Sequence, residues 1–194
     1  MRVAADRLRA QGQPIGEVYL GRDEIAARVA ELGVALAAAY ADRPPLLVAP
    51  LKSSAVFLAD LSRALPVDHE LDVIELAPYG SGRTGGGVRL LKDLDAPLQG
   101  RDVILVEDVV DTGLTLGFLT RCFAERGPAS LAAVTLLDRP YRRLVDDIPL
   151  EHVGFTVPDE LFAGYWLGLY ERWRALPDLH LVIADELPAA IDAA

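Results

Sequence analysis

Apolar residues recur at helical spacing through residues 23–42 (DEIAARVAELGVALAAAYAD), with acids at the start, and the spacing predicts a helix there. Pro44-Pro45 breaks it, and Leu46-Leu47-Val48-Ala49-Pro50 is a short apolar run suited to a buried strand. Residues 54–65 (SAVFLADLSRAL) return to helical spacing, and Leu71 to Leu76 reads as a further strand. The next stretch, PYGSGRTGGGVRLLKDL, is glycine-rich and polar, the mark of a mobile loop or hairpin. The strongest strand signal is Val103-Ile104-Leu105-Val106, which runs into acids, then Thr112-Gly113, then a helical pattern from Leu114 to Arg126. Residues 131–137 (LAAVTLL) and 153–157 give two more strands, and ADELPAAIDAA at the end reads as a loosely held tail. Strands alternating with helices predict an α/β fold, a mostly parallel central sheet flanked by helices.

Composition narrows this picture. A chain of 194 residues fits one domain, or one with a small appendage. Although 52% of residues are apolar, no uninterrupted apolar run approaches the roughly 20 needed to cross a bilayer. The opening MRVAADRLRA lacks a signal-peptide core, so a cytoplasmic protein without a membrane partner is expected. The net charge of −10 argues against nucleic acid as a partner. The lone Cys122 falls in a helical pattern and reads as a structural thiol, while His69, His152 and His180 match no zinc spacing.

Chemistry concentrates at residues 107–115. A buried strand ending in Glu107-Asp108 places two carboxylates at the carboxyl edge of a parallel sheet, where open α/β sheets bind ligands. The turn Asp111-Thr112-Gly113-Leu114-Thr115 then opens a helix whose N–H groups and threonine hydroxyls suit a phosphate. Acids beside a phosphate cradle fit a ribose 5-phosphate: hydroxyls, often with Mg²⁺ attached, need acceptors, and the phosphate needs donors. An isolated Asp-Thr-Gly would instead be read as a helix cap behind exposed acids.

VILVEDVVDTGLTL resembles the phosphoribosyl pyrophosphate signature of type I phosphoribosyltransferases, in the form used by the hypoxanthine-guanine branch. PLKSSAVFLADL resembles that branch's first active-site loop, PYGSG its mobile loop, and TLLDRPYRR its base-recognising strand end. VGFTVPDELFAGYWLGL followed by Arg174 resembles its purine hood. The resemblance implies one domain over 1–194: a core at about 20–150, a mobile loop at about 77–92, and a small hood from about 151–185 with N-terminal residues. It implies Mg²⁺-dependent transfer of phosphoribosyl from phosphoribosyl pyrophosphate to a nucleobase, a 6-oxopurine by default, in a homodimer or homotetramer. By the same resemblance, Glu107 and Asp108 hold the ribose hydroxyls and their Mg²⁺, and Asp111 is the general acid/base. Asp111, Thr112, Gly113, Leu114 and Thr115 bind the 5′-phosphate. Leu51, Lys52, Ser53 and Arg174 serve the pyrophosphate, and the family commonly keeps a cis peptide in the 51–53 turn. Tyr79 closes the mobile loop, and Arg139, Leu161 and Phe162 meet the base.

Departures from the family pattern cluster on the base side. Arg139 stands where a lysine is usual, and its planar fork needs more room. Leu161 holds the place of the stacking aromatic, with Phe162 one step later, and Gly168 replaces a carboxylate that commonly contacts a second Mg²⁺. Ala77-Pro78-Tyr79 stands in place of Ser-Tyr, and Ser53-Ser54 replaces a glycine-bearing pair. Two other readings stay open beside the leading one: a transferase for a non-standard base or heterocycle, and a non-catalytic regulator that binds phosphoribosyl pyrophosphate or a nucleotide. A different phosphate-binding α/β family is disfavoured, because GSGRTGGG lacks the lysine-hydroxyl ending of a phosphate loop.

Overall fold

The structure is a computed structural model that describes residues 3–78, 88–169 and 171–184. In chain order its elements are α1 (Val3–Ala10), β1 (Ile15–Leu20), α2 (Arg22–Tyr40), β2 (Leu46–Leu51), α3 (Ala55–Ala64), β3 (Glu70–Pro78) and β4 (Val88–Lys92). There follow β5 (Asp102–Val110), α4 (Leu114–Ala124), β6 (Ser130–Asp138), β7 (Leu150–Thr156), β8 (Phe162–Ala163) and β9 (Leu179–Val182), with one 3₁₀ turn at Pro140–Arg142. Two compact units divide them: Arg28–Pro158, and the segments on either side of it.

The unit Arg28–Pro158 is built on a six-stranded sheet in the order β4-β3-β2-β5-β6-β7. Only β4 runs antiparallel to its neighbour, so the expectation of a mostly parallel sheet holds. Strand β5 sits near the centre, and Asp102 to Val106 are all buried, as a strand covered on both faces requires. One face packs Leu46, Val48, Val103, Leu105 and Ala133 against Leu116, Leu119 and Phe123 of α4. The alternate residues, Leu47, Ile104 and Val106, are equally buried, and α3 packs on β2 and β5 through Phe57, Leu58 and Leu61. Cys122 joins the apolar packing around α4, the structural role expected of it.

The second unit carries a three-stranded antiparallel sheet, β1-β9-β8, with α1 packed on β1. Its small core joins Ala5, Ile15, Ala163, Leu176 and Val182. Arg22 is bound to Asp178 by its backbone N–H and by its guanidinium, 2.5–2.9 Å away, which ties the start of α2 to the approach to β9. His180 is buried, with Nδ1 3.2 Å from the Gly16 carbonyl, so it is a core histidine.

Two expectations change in extent. The strand expected to begin at Val103 and end in Glu107-Asp108 runs from Asp102 to Val110, so the two acids lie inside it, two residues short of its end. Part of the glycine-rich stretch forms β4 against β3; residues 79–87 of the expected mobile loop, and 185–194 of the expected tail, lie outside the described residues.

Candidate active site

Because side chains alternate along a strand, consecutive Glu107 and Asp108 point to opposite faces of the sheet. Glu107 looks toward the start of α4. There it lines a hollow of about 90 Å³ with Val109, Val110, Asp111, Thr112, Gly113, Thr115 and Leu116. That volume suits a phosphate-sized group rather than a whole ligand, for which pockets of about 300–1,000 Å³ are usual. Asp108 faces the first turn of α3, where the Ser54 hydroxyl donates to Asp108 Oδ1 at 3.1 Å. The structure thus gathers Glu107, Asp111, Thr112, Gly113 and Thr115 around one hollow, while Leu114 is 46% exposed and lies off it.

The cap reading of Asp111-Thr112 holds only in part: Thr112 Oγ1 accepts from the first N–H of α4, but the acids before it, Glu107 and Asp108, are buried. The N-cap position of α4 belongs to Gly113, at φ +79° and without a side-chain cap, and Thr112 Oγ1 lies 3.4 Å from the Leu114 N–H. The first-turn N–H groups of α4 therefore have no intrahelical acceptor and edge the hollow through Thr115 and Leu116. Glycine is required here for two reasons. The positive φ suits no branched residue, and a Cβ would sit 2.8 Å from the Val145 carbonyl oxygen and 3.2 Å from Arg143 Cδ. The backing comes from the chain after β6. The N–H groups of Leu144 and Val145 donate to the Thr112 carbonyl at 2.9 and 3.2 Å, and Arg143 pairs with Asp138. Sequence reasoning missed this buttress, since nothing local links residues 143–145 to the turn.

Arg139 leaves β6 beside the turn, its N–H donating to the Val110 carbonyl at 2.9 Å. Its guanidinium is buried and lies 3.6 Å from Asp111 Oδ2, while Asp111 Oδ1 is buried without a hydrogen-bond partner. An arginine and an aspartate paired at the edge of the hollow present a donor face and an acceptor oxygen to whatever lies beside them.

Glu107 Oε1 is also buried and unpartnered. Burial, and then the neighbouring Asp108, pushes the Glu107 carboxyl well above the usual carboxylate range. Burial also raises Asp108, opposed by hydrogen bonds from Ser53, Ser54 and backbone N–H groups. A carboxyl raised in the fold keeps a proton that the unfolded chain has released, so stability falls as pH climbs above the ordinary glutamate value of about 4.3. Glu107→Gln removes that penalty. Its melting temperature without ligand should exceed wild type at neutral pH by roughly 2–4 °C for each kcal/mol relieved, with the difference shrinking toward pH 4. Equal melting temperatures at pH 8 would contradict the burial argument.

Glu107, rather than the two acids as a pair, is the side chain with an oxygen open to a hard divalent cation at the hollow. A carboxylate oxygen is the donor type Mg²⁺ prefers, Asp108 faces the other side of the sheet, and among the described residues no cluster of three or more metal-ligating side chains exists. Mg²⁺ commonly keeps waters and substrate oxygens as its other ligands.

The remaining expected residues are placed as follows. Leu51 ends β2 at 37% exposure, Lys52 and Ser53 follow it, and the Leu51–Lys52 peptide bond is cis, as the resemblance implied. Phe162 is buried with its ring 4.9 Å from that of Tyr19, and Leu161 packs at the edge of the Ile15–Leu176 core. Arg174 donates to the Trp166 carbonyl at 2.7 Å and to Glu171 at 3.0 Å, and its Cγ lies 2.7 Å from where a Cβ on Gly168 would be. The missing carboxylate at 168 thus coincides with space that Arg174 occupies. Tyr79 lies outside the described residues.

Comparison with known proteins agrees with this geometry. The family model described as the phosphoribosyl transferase domain matches residues 20–160. A hypoxanthine phosphoribosyltransferase of Salmonella typhimurium is 44% identical over 174 residues, covering 88% of this chain and 97% of that protein. The hypoxanthine-guanine phosphoribosyltransferase of Bacillus subtilis is 40% identical over 164 residues, covering 84% and 91%. Among solved structures, a Staphylococcus aureus hypoxanthine phosphoribosyltransferase superposes with a TM-score of 0.83 at 35% identity, covering 87% of this chain and 92% of that one. No helix among the described residues is long and apolar enough to cross a membrane. With the signature turn, the parallel sheet and these likenesses in agreement, the chain belongs to the phosphoribosyltransferase family.

Proposed function

We propose that the protein transfers the 5-phosphoribosyl group from phosphoribosyl pyrophosphate to a 6-oxopurine, hypoxanthine or guanine, and releases pyrophosphate. The observation that carries this reading is the hollow enclosed by Glu107 and the turn Asp111 to Thr115, with the Asp111–Arg139 pair at its side. In this reading the helix N–H groups and the threonine hydroxyls hold the 5′-phosphate. Glu107 and Asp108 accept from the ribose hydroxyls and hold Mg²⁺, which when bound supplies positive charge to the departing pyrophosphate. Lys52 and the turn around it add donors to the same group, and family likeness gives Arg174 the same task. As the bond from C1 to pyrophosphate breaks, the base nitrogen bonds to C1, and Asp111 takes the proton that the base must lose.

Arg139 argues for the substrate. A guanidinium only donates, so the group facing it must accept. A carbonyl at the purine 6-position does so, whereas the amino group of adenine would set donor against donor and leave buried groups unpaired, a mismatch that discriminates strongly. Leu161 and Phe162 are assigned to the base by family likeness alone, as is the loop-closing role of Tyr79. The same likeness supports both units as parts of one domain, core and hood, in a cytoplasmic dimer or tetramer.

Pyrophosphate release from phosphoribosyl pyrophosphate and Mg²⁺, screened over hypoxanthine, guanine, xanthine, adenine and uracil, tests the proposal. Turnover with hypoxanthine or guanine, and at least about a hundredfold less with adenine, is the expected result. Tight substrate binding without turnover on any base would contradict it and leave a regulator.

A further inference from the structure

Ser54 stands directly before α3, the place where serine usually caps a helix by accepting from an N–H two or three residues on. It makes no such bond here. The side chain is fully buried and its hydroxyl is committed to Asp108 twice, donating to Oδ1 at 3.1 Å and accepting from the Asp108 N–H at 3.2 Å. The first bond fixes the carboxylate's rotation and the second fixes the hydroxyl. Glu107, one residue earlier, has no comparable partner for Oε1. The two acids are therefore unequal: one is oriented in advance, the other left open.

Ser54 also closes the turn that begins at the end of β2. Its N–H lies 3.4 Å from the Pro50 carbonyl, and its own carbonyl accepts from Leu58 at 2.8 Å as α3 starts. The residue is thus held rigidly between the Leu51–Ser53 turn and the acid at the end of β5.

We infer that Ser54 is a positioning residue: it holds the Asp108 carboxylate in the orientation that receives the ribose, and it fixes that acid to the turn that receives the pyrophosphate. This rests on the proposed function above. Substrate then meets both parts of its site already arranged, which reduces the ordering cost of binding. Without the hydroxyl, Asp108 Oδ1 loses a donor in a buried place, and only Ser53 and backbone N–H groups remain to orient the carboxylate.

The test is calorimetric binding of phosphoribosyl pyrophosphate with Mg²⁺ to wild type, Ser54→Ala, Asp108→Ala and the double variant. Ser54→Ala should bind roughly tenfold more weakly, the loss expected for a hydrogen bond to a charged group, while the KM for the base stays within about threefold. Added to Asp108→Ala, which removes the acceptor, it should cost little more, because its effect passes through the missing carboxylate. A general loss of stability would instead weaken binding equally in both backgrounds, and that result overturns the inference, as does unchanged affinity in Ser54→Ala. Should the alanine variant fail to fold, Ser54→Cys keeps the volume with a weaker donor; affinity equal to wild type would then refute the role. Wild type that binds no phosphoribosyl pyrophosphate would defeat the functional reading itself, whereas wild-type binding matched by Ser54→Ala defeats only this inference.

Discussion

Asp111→Asn should lower kcat by about 10²- to 10⁴-fold, the range lost when a positioned proton-transfer group is removed. The substitution keeps the shape of the side chain, and in the proposed reading the 5′-phosphate draws its donors from helix N–H groups and threonine hydroxyls, which the substitution leaves in place. The KM for phosphoribosyl pyrophosphate should therefore stay within a few-fold, so that kcat and kcat/KM fall together. The burial of Asp111 Oδ1 without a partner fits a group whose oxygen waits for a proton from the ligand. The fold should survive, since Asp111 is partly exposed and the turn is held through the Thr112 carbonyl. Steady-state kinetics on both substrates decides the point. A variant retaining more than a tenth of wild-type kcat would move the proton transfer to another group.

Gly113→Val should abolish substrate binding and destabilise the protein at once. A branched residue at φ +79° costs about 1–3 kcal/mol in backbone strain. The added Cβ would also press on the Val145 carbonyl oxygen at 2.8 Å, in a residue whose N–H donates to the Thr112 carbonyl. The turn must then open, and the hollow beside Glu107 loses its shape. Expected results are a melting temperature lower by roughly 5–10 °C and affinity for phosphoribosyl pyrophosphate reduced by more than about a hundredfold. Gly113→Ala should lie between the two. A valine variant that melts and binds like wild type would show that the turn is not the phosphate site.

The sheet was legible because β2, β5 and β6 are buried on both faces and so read as unbroken apolar runs. Strands β1 and β9 were not. Their pairing carries register shifts, and β1 (IGEVYL) has four partly or fully exposed residues between two buried ends, so neither strict alternation nor an apolar run appears. The two-residue β8 lies below any periodic signal. At the site, the turn at 111–115 could be read because strand, acids, glycine and helix follow one another in sequence. The supports could not, because they come from distant segments. Residues 143–145 reach Thr112 and Gly113 across about 30 positions, and Ser54 reaches Asp108 across 54. Ser54 in particular carries the local signature of a helix cap, and only its tertiary partner reveals another task.

The most direct test of the central claim is a crystal structure of the protein with inosine 5′-monophosphate and Mg²⁺. The 5′-phosphate is expected in the turn Asp111 to Thr115, the ribose hydroxyls at Glu107 and Asp108, and the purine 6-oxygen at Arg139. Phosphate density bound elsewhere, with the turn empty, would contradict the account.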